Sequence, residues 1–290
     1  MTTKAISTKD ISELRARTGA GISDCKNALI EAGGDMERAT EVLRMKGISK
    51  AEKRAGRSAS QGLIVIEAMA DGSAAAMVEL NCETDFVART DDFTGLAREL
   101  AVHALGSAPA GSHPGAVLDG QAFGGSTVAE VVKAVSGKTG EAMSLNRVAR
   151  FQTTAGTVQS YLHHNGQVGV LVEVEGPRGG TLDALGKEIA LHVASADPLV
   201  VSEADIPAET LERERRIETE KVAQEGKPEN IQAKIVEGKL KKFVAERTLL
   251  GQPFVKDDKQ TVGALVAEAA KAAGGAVTVR RFARFKVGEA

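Results

Sequence analysis

Five histidines and two cysteines are the residues whose chemistry is tested first: His103, His113, His163, His164 and His192, with Cys25 and Cys82. Zinc sites need such ligands at short, repeated spacings. The two cysteines stand far apart in the chain and belong to no ligand-spaced set, so buried thiols of a reducing compartment are expected. His163 and His164 are neighbours on an expected strand, which sends them to opposite faces and prevents them from chelating together. His103 and His192 fall at equivalent points of an internal repeat, which argues for packing. Two segments suggest phosphate loops. Thr18-Gly19-Ala20-Gly21 has no strand before it, and Ser136-Gly137-Lys138-Thr139-Gly140 has Val132 where the motif requires glycine. No metal-spaced cluster, nucleophile elbow or dinucleotide fingerprint is found. The residues point to binding rather than turnover, with no enzyme, metal or cofactor expected.

One polar stretch carries an aromatic that needs a reason. The apolar run Met77–Leu80 leads into Asn81-Cys82-Glu83-Thr84-Asp85-Phe86-Val87-Ala88-Arg89, in a chain with eight Phe, one Tyr and no Trp. Phe86 and Phe93 are seven apart, so on one helix they would share a face and both be core. The other reading makes Phe86 an anchor offered to a partner, since buried aromatics dominate interface energies.

The elements that must position these residues begin with three short helices. Ser7 or Thr8 caps the first, with Ile6, Ile11 and Leu14 as its apolar stripe, and Thr18–Gly21 breaks it. The second runs from Ser23 to Ala32, burying Cys25, Ala28 and Leu29, and stops at Gly33-Gly34. Asp35 caps the third, with Met36, Ala39, Val42 and Leu43 at helical spacing as far as Gly47. Residues 1–48 thus form a docking module that resembles a ubiquitin-associated-type bundle. Residues 49–61, rich in Lys, Arg, Ala and Ser, form a linker or a solvated helix extension.

Beyond Gly62 the chain repeats itself. Gly62–Ile66 aligns with Gly156–Ser160, Asp71-Gly72 with Asn165-Gly166, and Met77–Leu80 with Leu171–Val174. Asp-Gly and Asn-Gly between β-rich runs predict hairpins with both turn residues at positive φ. Leu96–His103 matches Leu185–His192, and Thr127–Phe151 matches Thr261–Phe285 as a helix followed by a strand. Each copy reads as hairpin, helix, helix, strand, giving an α+β fold with a three-stranded sheet and helices per copy. Copy one occupies residues 62–154; copy two occupies 155–198 and 260–290.

The copies differ in two places. Copy one carries extra positions around Thr84–Arg89, where copy two has only Gly176–Gly180, so the shared fold does not require Phe86. Gly106–Gly125 of copy one reads as an irregular surface connection. Copy two instead inserts residues 199–259, an antiparallel helical hairpin. Its first helix follows Pro207 and ends at Gln224, Glu225–Pro228 forms the turn, and the second runs from Glu229 to Glu246. Leu211, Ile217 and Val222 are expected to face Ile231, Ile235, Leu240, Phe243 and Val244, with Lys239–Lys242 a solvated face.

At 290 residues, 42% apolar and 26% charged, the chain is long enough for two or more domains of an ordinary globular kind. A net charge of −2 supplies no global basic field for nucleic acid. Met1–Ser7 has no apolar core of a signal peptide and no run approaches a membrane span, so a cytoplasmic protein is expected.

Long motifs now resemble a family. Arg17–Gly21 with Asp24-Cys25-Lys26, and Asn81–Ala88, closely resemble bacterial elongation factor Ts. Val236-Glu237-Gly238, Lys241-Lys242-Phe243 and Leu250-Gly251-Gln252-Pro253-Phe254 resemble it too. Many members continue into a C-terminal helical module. This sequence ends at Ala290, so that module's contacts are expected to be absent or made otherwise.

The resemblance implies a guanine-nucleotide exchange factor for elongation factor Tu, in its GDP-bound and nucleotide-free forms, with no direct nucleotide binding. It implies that Phe86 wedges between helices of the partner's nucleotide domain, with Asp85 beside it, loosening the Mg²⁺ and phosphate site so that GDP leaves. Thr84, Val87, Ala88 and Arg89 complete that segment. Arg15, Gly21, Ile22 and Ser23 would dock on the same domain, Gly140 would add a further contact, and His163 would touch another domain. The helical hairpin serves self-association in some members. The alternative is an RNA- or ribosome-associated scaffold without exchange activity, using the basic linker and hairpin; the net charge speaks against it.

Overall fold

A computed structural model describes residues 6–52, 56–224 and 228–289. The start of the N-terminal stretch read for targeting (1–5), the linker positions 53–55, most of the expected hairpin turn (225–227) and Ala290 lie outside the described residues. The chain divides into two compact units. One comprises Met1–Glu67, Ala76–Ala149 and Lys286–Ala290; the other comprises Ala68–Ala75 and Arg150–Phe285. It is a mixed α+β protein.

The first unit opens with helices α1 (Thr8–Thr18), α2 (Ile22–Glu31) and α3 (Met36–Glu52). Ser7 caps α1 in a reciprocal box with Asp10, and Gly19 ends it at φ 66°. Asp35 accepts the Arg38 N–H at the start of α3 (2.8 Å). Leu14, Cys25, Ala28, Leu29, Ala39 and Val42 make the small core between them.

Strands β1 (Gln61–Ala68) and β2 (Ala74–Cys82) follow, then α4 (Asp85–Ala88), α5 (Asp91–Ser107) and β3 (Gly111–Pro114). After a 3-10 turn come the short strands β4 (Ala122–Phe123) and β5 (Ser126–Thr127), then α6 (Val128–Thr139) and β6 (Met143–Gln152). The sheet order is β1-β2-β6-β3. Phe93, Leu96, Leu100 and Ala104 of α5 pack with Val128 and Val132 of α6 on Val78, Leu80 and Val148.

Two expectations are corrected here. Gly47 does not end α3, which runs to Glu52. Gly47 is a contact glycine: a Cβ on Gly137 of α6 would come within 2.7 Å of the Gly47 Cα, so the two helices meet where neither has a side chain. The first part of 49–61 is accordingly a helix extension. The connection Gly106–Gly125 is not irregular throughout, because β3 adds a fourth strand beside β6. Gly115, whose Cβ would overlap the Leu145 carbonyl, permits that approach, and Pro114 is tolerated on the sheet edge. Ser136–Thr139 form the last turn of α6, the negative end of the helix dipole, which disfavours phosphate.

The second unit contains β7 (Gly156–Leu162), β8 (Val168–Glu175), α7 (Gly180–Ala196), α8 (Ala208–Gln224), α9 (Glu229–Arg247), β9 (Pro253–Phe254), β10 (Asp257–Thr261), α10 (Val262–Ala273) and β11 (Thr278–Lys286). Its three-stranded sheet has the order β11-β8-β7, with β7 and β8 antiparallel from Gly156↔Glu175 to Leu162↔Gly169. Leu182, Leu185, Ile189 and Val193 of α7 cover it together with Val262 and Val266 of α10.

The turns after β1 and β7 share one geometry, and it is not the expected one. Only the glycines, Gly72 and Gly166, have positive φ (both 69°); Asp71 and Asn165 do not. Gly72 N–H donates to the Met69 carbonyl and Gly166 N–H to that of His163 (3.0 and 2.8 Å). Asp71 and Asn165 each accept the N–H two residues on, from Ser73 and Gln167. His163 and His164 therefore sit in a turn, not on opposite faces of a strand, and their ring centroids approach to 4.2 Å.

In the hairpin, Val222, Val236 and Leu240 are buried with Ile235 beside them. Ile217 and Ile231, expected inside, are exposed, and Val236 takes the core place. Lys239 pairs with Glu218 (2.8 Å), while Lys241 and Lys242 pair with Glu237 and Glu246 on the surface.

Two polar arrangements recur, one in each unit. Glu79 pairs with Arg147 and Glu173 with Arg281, each at 2.6 Å. His103 Nε2 meets Gln121 Oε1 at 2.8 Å, and His192 Nε2 meets Gln252 Oε1 at 2.9 Å, beside Phe123 and Phe254 respectively. The packing role expected of both histidines is what these partners give them.

His192 Nδ1 also accepts the Val255 N–H (3.2 Å), which places the ring proton on Nε2. A second proton would leave that donor facing another donor. Burial, partly opposed by the Gln252 bond, pushes the imidazole below its usual 6.5. Its contribution to stability is complete above pH about 6.5 and is lost as pH falls through the lowered folded value, because the unfolded chain takes up the proton first. Urea unfolding should show the wild type losing more stability than His192→Gln as pH falls from about 7.5 to 5.5. Parallel pH profiles for the two proteins would contradict this.

Candidate partner-binding surface

The segment after β2 is built to hold one aromatic ring outward. Thr84 caps α4, its hydroxyl accepting the Val87 N–H (3.3 Å). Ala88 is buried and Val87 packs against the core beneath. These two pin the segment and offer little surface themselves. Asp85, Phe86 and Arg89 point to solvent, with an exposed Asp85–Arg89 pair at 3.0 Å. Phe86 is 80% exposed whereas Phe93 is fully buried. The core reading of Phe86 is thereby overturned. Arg89 and Thr90 interrupt the helix between the two rings, so seven-residue spacing no longer places them on one face.

The base of the segment is tied to residues that follow α6. Glu141 accepts both the Thr84 N–H (3.0 Å) and the Thr84 hydroxyl (2.6 Å). Glu83 accepts the Ala142 N–H (2.7 Å). Gly140, the exposed residue that ends α6 at φ 82°, therefore sits beside the Phe86 segment although it is far away in sequence. The Cys82 thiol donates to the Thr84 carbonyl (3.1 Å). Burial, with the nearby Glu141 charge second, pushes that thiol up to about 12, so it stays protonated and inert.

Lys138 pairs with Asp92 at the start of α5 (2.7 Å), and Gly19 abuts the Lys138 side chain. The α1–α2 turn with Gly21, Ile22 and Ser23 is thus brought to the same end of α6. All three are exposed, as is Arg15, and Ile22 presents an apolar side chain. His163 belongs to the second unit. There it bonds Tyr161 (3.0 Å) and lines a cavity of about 430 Å³ with Leu191, Ala194 and Val255.

Sequence reading missed Glu141, which no local spacing marks. It also missed Gln121 and Gln252, although the repeat contained the signal: Gln121-Ala122-Phe123 and Gln252-Pro253-Phe254 each lead to the start of a helix. Among the described residues there is no group of three or more His, Cys, Asp or Glu able to hold a metal ion. None of the described helices is long and apolar enough to cross a membrane.

A family model described as elongation factor TS matches residues 83–289. The elongation factor Ts of Prosthecochloris aestuarii is 43% identical over 284 residues, which is 98% of this chain and 99% of the relative. That of Aquifex aeolicus is 44% identical over 290 residues, 98% of each. That of Methylococcus capsulatus is 44% identical over 279 residues, 96% of this chain and 91% of the relative. With a match over most of its length and relatives at this identity, the chain belongs to the elongation factor Ts family.

Proposed function

We propose that this protein is a guanine-nucleotide exchange factor that binds elongation factor Tu in the cytoplasm and promotes release of its GDP. The observation that carries the reading is Phe86, a large apolar ring held in solvent on a short helix pinned from beneath. Exposing such a ring alone brings the free protein nothing, and aromatic side chains are the usual anchors of interfaces. In the proposed mechanism Phe86 inserts between helices of the partner's nucleotide domain, with Asp85 beside it. The ring is accommodated only when the partner opens, so its binding energy favours the opened state with a loosened Mg²⁺ and phosphate site. Gly140, Arg15 and Gly21–Ser23 supply docking surface on the same domain, and His163 touches another. No direct contact with nucleotide or nucleic acid is needed.

We read the two units as copies of one duplicated fold and the first three helices as a ubiquitin-associated-type bundle. The exposed Ile217 and Ile231 make the hairpin the place for any self-association.

Exchange by this route is reciprocal: a factor that weakens GDP binding is itself weakened by GDP to the same degree. A displacement of about 10³-fold corresponds to roughly 4 kcal/mol of coupling. Titrating GDP into a preformed complex with nucleotide-free elongation factor Tu should weaken this protein's binding by about that factor. An affinity unaffected by saturating GDP would overturn the proposal.

A further inference from the structure

Resting on the reading that Phe86 engages the partner, we infer that Glu141 is a positioning residue for exchange, holding the Phe86 segment in its docking orientation. The α4 helix is four residues long. A helix of one turn does not hold itself together in water, because nucleation fixes several residues for a single hydrogen bond. Its geometry must be imposed from outside: Val87 and Ala88 seat its underside on the core, and two carboxylates exchanged crosswise supply the bonds that fix its base. Glu141 accepts the Thr84 N–H and hydroxyl through separate oxygens (3.0 and 2.6 Å), while Glu83 accepts the Ala142 N–H (2.7 Å). The Thr84 hydroxyl passes the restraint on, accepting from Val87 N–H one turn into α4 (3.3 Å). Glu141 is fixed in turn, since the Ser136 hydroxyl donates to its carbonyl (2.5 Å).

A carboxylate is the group suited to this place. Both of its oxygens accept, and bonds to an ionised acceptor are the stronger kind. Glutamine offers one accepting oxygen for the Thr84 N–H, and its NH₂ can meet the Thr84 hydroxyl only by donating to it, so the bonds that remain are neutral and weaker. Alanine keeps neither. Once released, the segment samples other orientations, and only the docking-competent fraction drives exchange.

The test measures GDP release from elongation factor Tu catalysed by the full chain and by Phe86→Ala, Glu141→Ala, Glu141→Gln and Phe86→Ala/Glu141→Ala. Glu141→Ala should slow exchange about tenfold at saturation, the loss expected if a tenth of the molecules hold the segment correctly, with Glu141→Gln between it and wild type. Because Glu141 acts through Phe86, the double variant should be no slower than Phe86→Ala alone. Hydrogen exchange at the Thr84 amide should accelerate in Glu141→Ala while the core strands keep their protection. Wild-type exchange by Glu141→Ala, with Phe86→Ala slow, overturns the positioning role alone. A double variant slower by the product of the single effects overturns it too. Wild-type exchange by Phe86→Ala instead overturns the wedge reading on which it rests. If Glu141→Ala unfolds, Glu141→Gln with the Thr84 amide measurement decides the same question.

Discussion

Replacing Phe86 with alanine is expected to slow GDP release from elongation factor Tu by about 30-fold or more, the rate equivalent of roughly 2 kcal/mol for one anchoring aromatic. Binding to nucleotide-free elongation factor Tu should weaken by less. The proposed docking surfaces at Gly140 and the α1–α2 turn would remain, and what would be lost is the group whose energy, in the proposed mechanism, is realised only in the opened partner. The free protein should not notice the change. Phe86 touches little of its own chain at 80% exposure, so its thermal unfolding should move by no more than about 0.5 kcal/mol. This separation of effects distinguishes an anchor from a core residue. Phe93→Ala, by contrast, would empty a fully buried site and destabilise the fold by roughly 3–5 kcal/mol. Equal losses of binding and exchange in Phe86→Ala would count against the wedge.

Arg147→Met should produce the largest loss of stability among single polar changes in the first unit. Glu79 is fully buried, and Arg147 approaches its Oε2 through Nε and an NH group (2.7 and 2.6 Å). The other oxygen accepts from Asn81 and from the Gly288 N–H (both 3.1 Å). Without the guanidinium a buried carboxylate keeps only neutral donors, and removing one partner of such a pair costs about 3–5 kcal/mol. Overall stabilities run at about 5–15 kcal/mol, so much of the margin would go. The related pair offers an internal comparison. Arg281 is more exposed than Arg147 (38% against 21%), so Arg281→Met should cost less even though it also loses the stacking on Phe151. Urea unfolding reads both, and a loss below about 1 kcal/mol for Arg147→Met would show that the buried charge finds other compensation.

What could be read from the sequence was what depends on neighbours a few positions away. Ser7 and Asp35 cap helices because a cap is a bond to the third residue on. The chain after Pro207 is helical as its spacing indicates. The extra positions around Thr84–Arg89 drew attention to Phe86 because the two halves of the chain could be compared. What could not be read depends on distant partners. Gly47 has the composition of a helix stop and became a helix-packing point because Gly137 lies against it. Gly111–Pro114 has the composition of a loop and became a strand because β6 offered a free edge. Ile217 and Val236 could not be ranked for burial without the relative rotation of the two hairpin helices. Glu141 looks like any surface glutamate until Thr84 is brought to it.

Release of fluorescent GDP from elongation factor Tu, followed with substoichiometric amounts of this protein and of its Phe86→Ala variant, tests the central claim most directly. Acceleration with many GDP molecules released per molecule of wild type, and a rate lower by at least about 30-fold for the variant, is the predicted result. Release that stays at the spontaneous rate, or that the variant accelerates as well as the wild type, would contradict it.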